Sequence, residues 1–212
     1  MKKAIASIIL IFSVILLFGC GGNGYAPVQS TAEESKVVYT LTVDGKNYDV
    51  KYELYRALFL NYKSSVDLGD DSVWSGKNKD EYVAQINEII LNKAADIYSV
   101  LHFAEKLGFA PYSGETEANI NEYIKLSVDG NGADVIGFGG DYDAYLASLK
   151  EMNLNYSVQV LLLRYSLMLE KINEYYLGTE DPALGHLPGE YEFYIVSGRR
   201  RFKVELTVED TV

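Results

Sequence analysis

Apolar and polar positions alternate along this chain in two rhythms. In residues 37–50 (VVYTLTVDGKNYDV), Val38, Thr40 and Thr42 alternate with Tyr39, Leu41 and Val43. A period of two predicts a short strand, and Asp44-Gly45 supplies the turn that follows it. The rhythm then lengthens to three or four residues, which predicts a helix starting near Asp49, with the Asp49 carboxylate as its cap. Its stripe is Tyr52, Tyr55, Phe59 and Tyr62, with Leu58 alongside. Residues 64–77 are polar and Gly-containing, a loop carrying Trp74, the only tryptophan, as a packing anchor.

Asn78-x-x-Glu81 resembles a capping box, and the helix behind it reads through to Leu107. Tyr82, Ile86, Ile89, Ile90, Ala94, Ile97, Leu101, Ala104 and Leu107 form its apolar face, with Gly108 closing it. Pro111 blocks continuation, and Ser113 caps a further helix to Leu126 with Ile120, Tyr123 and Ile124 inward. After a Gly-Gly turn, residues 138–176 predict a short helix, a break at Asn153-Leu154-Asn155, and a long helix. In the long one Val158, Leu161, Leu162, Tyr165, Leu169, Ile172 and Tyr176 share a face, and Gly178 stands at its end. Residues 190–196 and 201–208 alternate around Ser197-Gly198-Arg199-Arg200 and predict a β-hairpin. The expected fold is mainly α, with a small β element in which the N-terminal strand and the C-terminal hairpin pack together.

Composition narrows the partners. The formal net charge is −11, which excludes a nucleic-acid role, since that needs a basic footprint. It also opposes adsorption to anionic lipid by charge alone. The cluster Arg199-Arg200-Arg201 is the only basic patch and reads as a solvated turn. Tyrosine is heavily used, at 18 copies; its apolar ring and polar tip suit half-buried helix surfaces and contact surfaces alike.

Residues 1–19 read as a secretion signal, with Lys2 and Lys3 ahead of an uncharged apolar run over residues 4–18. The run is shorter than the roughly 20 residues that cross a bilayer. It ends in Leu17-Phe18-Gly19-Cys20, which resembles the lipobox of bacterial lipoproteins, with Phe18 larger than the usual occupant. That resemblance implies cleavage before Cys20 and its modification by diacylglycerol and a fatty acid such as palmitate. Cys20 is the only cysteine, so no internal disulfide and no cysteine-based metal site is expected. Loss of Lys2 and Lys3 takes the basic residues from 19 to 17 against 30 acidic ones, a mature net charge of −13. Residues 20–36 are expected to form a lipidated flexible tether, rich in Gly, Ser, Thr and Glu over 21–34.

Catalytic and metal-binding patterns are not matched. His102 and His186 lie far apart in sequence, and His102 falls beside the apolar face of a long helix, a structural position. The run from Asp129 to Asp134 begins like a calcium loop, but Ala133 stands where a ligand belongs and Asp134 where glycine is required. Gly137, Gly139 and Gly140 ahead of a helix suggest a phosphate cradle, yet no Lys-Ser/Thr follows; Asp141 as a cap explains them better. No catalytic residue, metal ligand or cofactor site is assigned.

The order of elements is nonetheless familiar. A lipobox, a strand with VDGK leading into YELYRALFLNYK, a helix ending in AEKLGF, then FGGDYDAYLASLKEMNL and a helix ending in EYYLG resemble the N-terminal chaperone domain of SurA/PrsA-type foldases. The likeness is nearest to the lipoprotein members of that parvulin-type family and spans residues 37–178. It implies a SurA/trigger-factor-like helical chaperone domain on the outer face of the cell membrane, acting as a holdase or foldase for unfolded secreted polypeptides. In that family a parvulin-type prolyl isomerase domain usually follows. Residues 179–212 are too short for one and read as the β-hairpin segment, so binding without catalysis is expected. The competing expectations are a prolyl isomerase relative and a surface lipoprotein with one dedicated protein partner.

Overall fold

The computed structural model describes residues 24–132, 135–177 and 204–208. The chain is mainly helical with a small antiparallel sheet, as the sequence predicts. Strands β1 (Val37–Val43) and β2 (Lys46–Lys51) form a hairpin. Asp44 and Gly45 join them with φ of 51° and 82°, the paired positive values that a two-residue hairpin turn requires. Strand β3 (Val204–Val208) pairs antiparallel with the other side of β1, from Tyr39↔Val208 to Val43↔Val204, so the sheet order is β2-β1-β3. The expected union of the N-terminal strand with the C-terminal segment is met for this arm. Residues 190–196, the Arg199-Arg200-Arg201 cluster, Gly178 and His186 lie outside the described residues.

Asp49 is not a helix cap. It is a strand residue opposite Thr40, because the second arm of the hairpin occupies the positions expected to be turn and helix start. Helix α1 (Tyr52–Asp67) begins after Lys51 without a side-chain cap. Its first amides are satisfied from upstream: Tyr52 N–H donates to Lys36 O at 2.8 Å and Glu53 N–H to Glu34 O at 3.0 Å. A single 3₁₀ turn, Asp71–Trp74, follows.

Helix α2 (Lys79–Lys106) is the hub. It packs on α1, on the 3₁₀ turn, on β1 and on α5. From Ala94 to Ala104 it is buried on every side except at Asp96, as expected of a helix enclosed by partners. Asn78 makes no side-chain cap hydrogen bond, so the predicted capping box does not form. Helix α3 (Gly114–Asp129) starts as predicted, with Ser113 accepting from Thr116 N–H. Helix α4 (Tyr142–Glu151) is capped by Asp141, which accepts from Ala144 N–H at 2.9 Å. Asn153, at φ 60°, turns the chain, and Asn155 caps helix α5 (Tyr156–Leu177) by accepting from Val158 N–H at 2.9 Å.

The stripes predicted for α1 and α5 are rotated in the structure. Leu54 and Ala57 are the buried apolar residues of α1, while Tyr52, Tyr55 and Leu58 lie at the margin of the core. In α5 the buried set is Tyr156, Val158, Leu163, Arg164, Leu167, Met168 and Ile172, with Leu161, Leu162, Tyr165 and Leu169 half-buried. Helix α5 meets α1, α2, α3 and α4, so no single face of its nearly continuous apolar run is the inner one. Trp74 is the packing anchor expected: its ring lies 5.4 Å from Phe59 and 6.2 Å from Tyr82, and its indole N–H donates to Asp67 at 2.8 Å.

The described part of the expected tether is tied down. Ser30 bonds to Glu53 and Ser157, and Tyr25 stacks on Tyr142 at 4.7 Å. Small polar residues here serve as local hydrogen-bonding partners, a role that composition alone does not separate from that of a linker.

Candidate functional site

Where the N-terminal stretch, the end of β2 and helices α2 and α5 converge, they leave an open cleft of about 360 Å³. Pro27, Val28, Asp49, Lys51 and Leu54 line it on the side of the N-terminal stretch, β2 and α1. Tyr98 of α2, Tyr112 of the α2–α3 connection and Tyr156, Val160 and Leu161 of α5 also line it, Tyr98 and Tyr156 being largely buried. Val28 and Tyr112 stay 42% and 51% exposed, so apolar surface at the mouth meets water.

One end of the cleft is held by a buried carboxylate. Glu53, 9% exposed, accepts from Ser30 Oγ at 2.5 Å and from Asn155 Nδ2 at 2.8 Å. Ser30 and Ser157 share a hydrogen bond of 2.7 Å between hydroxyls. Asn155 also donates to Glu34 at 3.2 Å. The Glu34 carboxyl is held below its ordinary value, first by the backbone N–H of Thr31 and then by Asn155. Asn155 thus ties the start of α5 to α1 and to the N-terminal stretch.

The other end is held by a buried cation. Arg164 is 9% exposed. Its Nε donates to Pro111 O at 3.0 Å, its Nη2 pairs with Glu117, and its guanidinium lies 4.9 Å from the centre of the Tyr112 ring. Tyr98 O–H donates to the Asp49 carbonyl at 2.8 Å. Burial pushes the phenols of Tyr98, Tyr112 and Tyr156 above their ordinary value, so all three are neutral at pH 7. The buried ions at each end are engaged by their own neighbours. What the cleft offers an occupant is therefore aromatic and aliphatic surface together with the polar side chains of Gln29, Asp49, Lys51 and Ser157.

The other residues singled out from sequence fall elsewhere. Cys20 lies outside the described residues. His102 is buried beneath the hairpin, its Nδ1 3.0 Å from Tyr48 O–H and its Nε2 3.7 Å from Asp44 Oδ2. Burial, and then the Lys106 cation, lower its pKa. Asp129, first residue of the calcium-like run, is engaged by Lys125 and Tyr25, and Asn131 accepts from Val135 N–H. Among the described residues no group of three or more His, Cys, Asp or Glu could hold a metal ion. No described helix is long and apolar enough to cross a membrane.

Sequence reasoning passed over Glu53, Asn155 and Arg164. The one available signal was Arg164 inside LLLRYSLML, a charge where the helix pattern calls for apolar residues. Glu53 and Asn155 carry no such mark, because each is explained only by the other. In the comparisons with known proteins, no family model, no curated protein and no solved structure matches this chain.

Proposed function

We propose that this chain is a lipid-anchored, extracytoplasmic chaperone that holds unfolded secreted polypeptides in the tyrosine-walled cleft, without catalysis. The observation that carries the reading is the wall itself. Tyr98, Tyr112 and Tyr156 with Val160 and Leu161 line an open cleft, in which Tyr112 is exposed and Val160 and Leu161 half-buried, and the buried Glu53 and Arg164 at its ends are engaged within the chain. Such a surface accepts apolar segments without demanding one side chain. The lipobox-like run ending at Cys20 supports attachment to the outer membrane face, and a mature charge of −13 favours basic or weakly charged clients. The order of motifs from VDGK to EYYLG supports the same reading by its likeness to SurA/PrsA-type chaperone domains.

The test is aggregation of two unrelated denatured proteins in the presence of the chain from Cys20 onward, at substoichiometric to equimolar ratios. Prolyl isomerisation is measured on the same sample. Suppression of both aggregations with no acceleration of isomerisation is expected. Failure to suppress either overturns the general-chaperone reading and leaves a lipoprotein dedicated to one protein partner.

A further inference from the structure

The N-terminal stretch borders the cleft as a strap held at two points. At the first, Tyr25 O–H donates to Asp129 Oδ1 at 2.5 Å and to Gly140 O at 3.3 Å. The Tyr25 ring stacks on Tyr142 at 4.7 Å, and the Tyr142 hydroxyl donates to Ala26 O at 2.9 Å. At the second, Ser30 Oγ donates to Glu53 and meets the Ser157 hydroxyl. The first clasp is built by the end of α3 and the start of α4, the second by the starts of α1 and α5. Pro27, Val28 and Gln29 lie between the two and line the cleft.

Between its clasps the strap is loosely made. Ala26, Pro27, Val28 and Gln29 are all exposed, and Pro27, Val28 and Gln29 make no hydrogen bond among the described residues. Few buried contacts and unpaired backbone mark a segment that opens locally without unfolding the rest. When the second clasp opens, Glu53 keeps its bond from Asn155 at 2.8 Å, so the buried carboxylate still has a donor. Pro27 has no backbone N–H and biases Ala26 towards extended backbone. An extended, unpaired run carrying a proline and an exposed valine has the chemistry of an unfolded polypeptide segment. The strap is thus a client-like occupant placed beside the exposed Tyr112 and the half-buried Leu161 of the same cleft.

We propose that residues 25–30 are a displaceable strap, which occupies one side of the cleft in the free chain and gives way to an extended, apolar client segment. The inference rests on the client-binding cleft of the proposed function and adds its regulation. A segment tethered beside its site acts at a high effective concentration. A client must therefore compete with it, and the apparent affinity falls by the fraction of chains in which the strap is open. An unfolded chain with several adjacent apolar residues meets that threshold; a folded protein, with such residues buried, does not.

The test locks the strap reversibly. In the chain from Cys20 onward, Cys20→Ala removes the only cysteine. Ser30→Cys with Ser157→Cys then places two thiols where the hydroxyls lie 2.7 Å apart. The oxidised and reduced forms of this one variant are compared by binding of the apolar dye bis-ANS and by suppression of aggregation of two unrelated denatured proteins. Severalfold weaker dye binding and severalfold weaker suppression are expected on oxidation, both reversed by reductant. Tyr25→Ala combined with Ser30→Ala loosens both clasps without a crosslink, and is expected to bind the dye severalfold more tightly than the native chain. Equal dye binding by the oxidised and reduced forms, or no gain in the double alanine variant, overturns the inference. Dye binding that falls on oxidation while neither form suppresses aggregation sinks the general-chaperone reading and upholds the strap.

Discussion

The carboxylate of Glu53, in the first turn of α1, accepts a hydrogen bond of 2.8 Å from Asn155, 102 residues further along the chain. Asn155 uses its other side-chain atom to cap α5. Replacing Asn155 by alanine removes a cap, worth about 1 kcal/mol, and a bond to a charged group, worth about 1.5–3 kcal/mol. We expect a loss of about 2–4 kcal/mol in denaturant unfolding. Asn155→Asp keeps the capping oxygen but sets a third carboxylate against Glu53 and Glu34. It is expected to be destabilised at neutral pH and to recover partly on acidification, whereas a cap-only role would leave it unchanged.

The single tryptophan reports on its own neighbour. Asp67 is held at about 2, below its ordinary value of 3.8, first by Lys63 and then by Trp74. A depressed carboxyl stabilises the folded chain fully above the unfolded value and progressively less as pH falls towards the folded one. Trp74 fluorescence is therefore expected to be steady above pH 3.8 and to change as pH falls towards about 2. In Asp67→Asn that step should disappear; its persistence would assign it to another group.

His102 acts on the same acid side of the stability profile, at higher pH. Burial lowers its pKa from 6.5 and Lys106 adds to the effect, while Asp44 and Glu105 oppose it. Tyr48 faces it from β2. The unfolded chain then takes up the proton first, so stability is full above pH 6.5 and declines as pH drops below it. Denaturant midpoints measured between pH 7 and 5 are expected to fall for the native chain and to flatten in His102→Gln.

Leu161 and Tyr112 stand in the cleft wall, half-buried and exposed respectively, outside the buried core. Leu161→Glu or Tyr112→Ala should leave the circular dichroism spectrum unchanged. Each should raise the concentration needed to suppress aggregation about fivefold, corresponding to about 1 kcal/mol of contact. Unchanged suppression in both would place client binding elsewhere.

Gly137 and Gly132 separate two costs in one loop. A Cβ at Gly137 collides with backbone, so Gly137→Ala is expected to lose about 1–3 kcal/mol on thermal unfolding. At Gly132 space is open but φ is +75°, and alanine there should cost about 1 kcal/mol or somewhat more. The two melting curves measured side by side check the ranking.

Helix existence was legible because it is written locally. Ser113 and Asp141 cap the helices they were expected to cap, and Asn153, at positive φ, turns the chain within the expected break at Asn153-Leu154-Asn155. Those signals act over three or four residues. The second arm of the hairpin was missed because KNYDVK merges into the helical stripe of α1; only pairing with β1 makes Asp49 a strand residue.

Taken alone, the amino-acid order determined the helical class, most helix ends and the strand that begins the sheet, since caps, turns and periodicity are near-neighbour physics. Tertiary structure decided which faces are inner, because α5 packs against four helices at once and an apolar run such as LLLRYSLML carries no phase of its own. It also decided the fate of the N-terminal stretch and the cleft it borders. Glu53 is a tolerable buried charge only because Ser30 and Asn155, from distant parts of the chain, meet it with donors. Such satisfaction is a property of position in space, which no local pattern encodes.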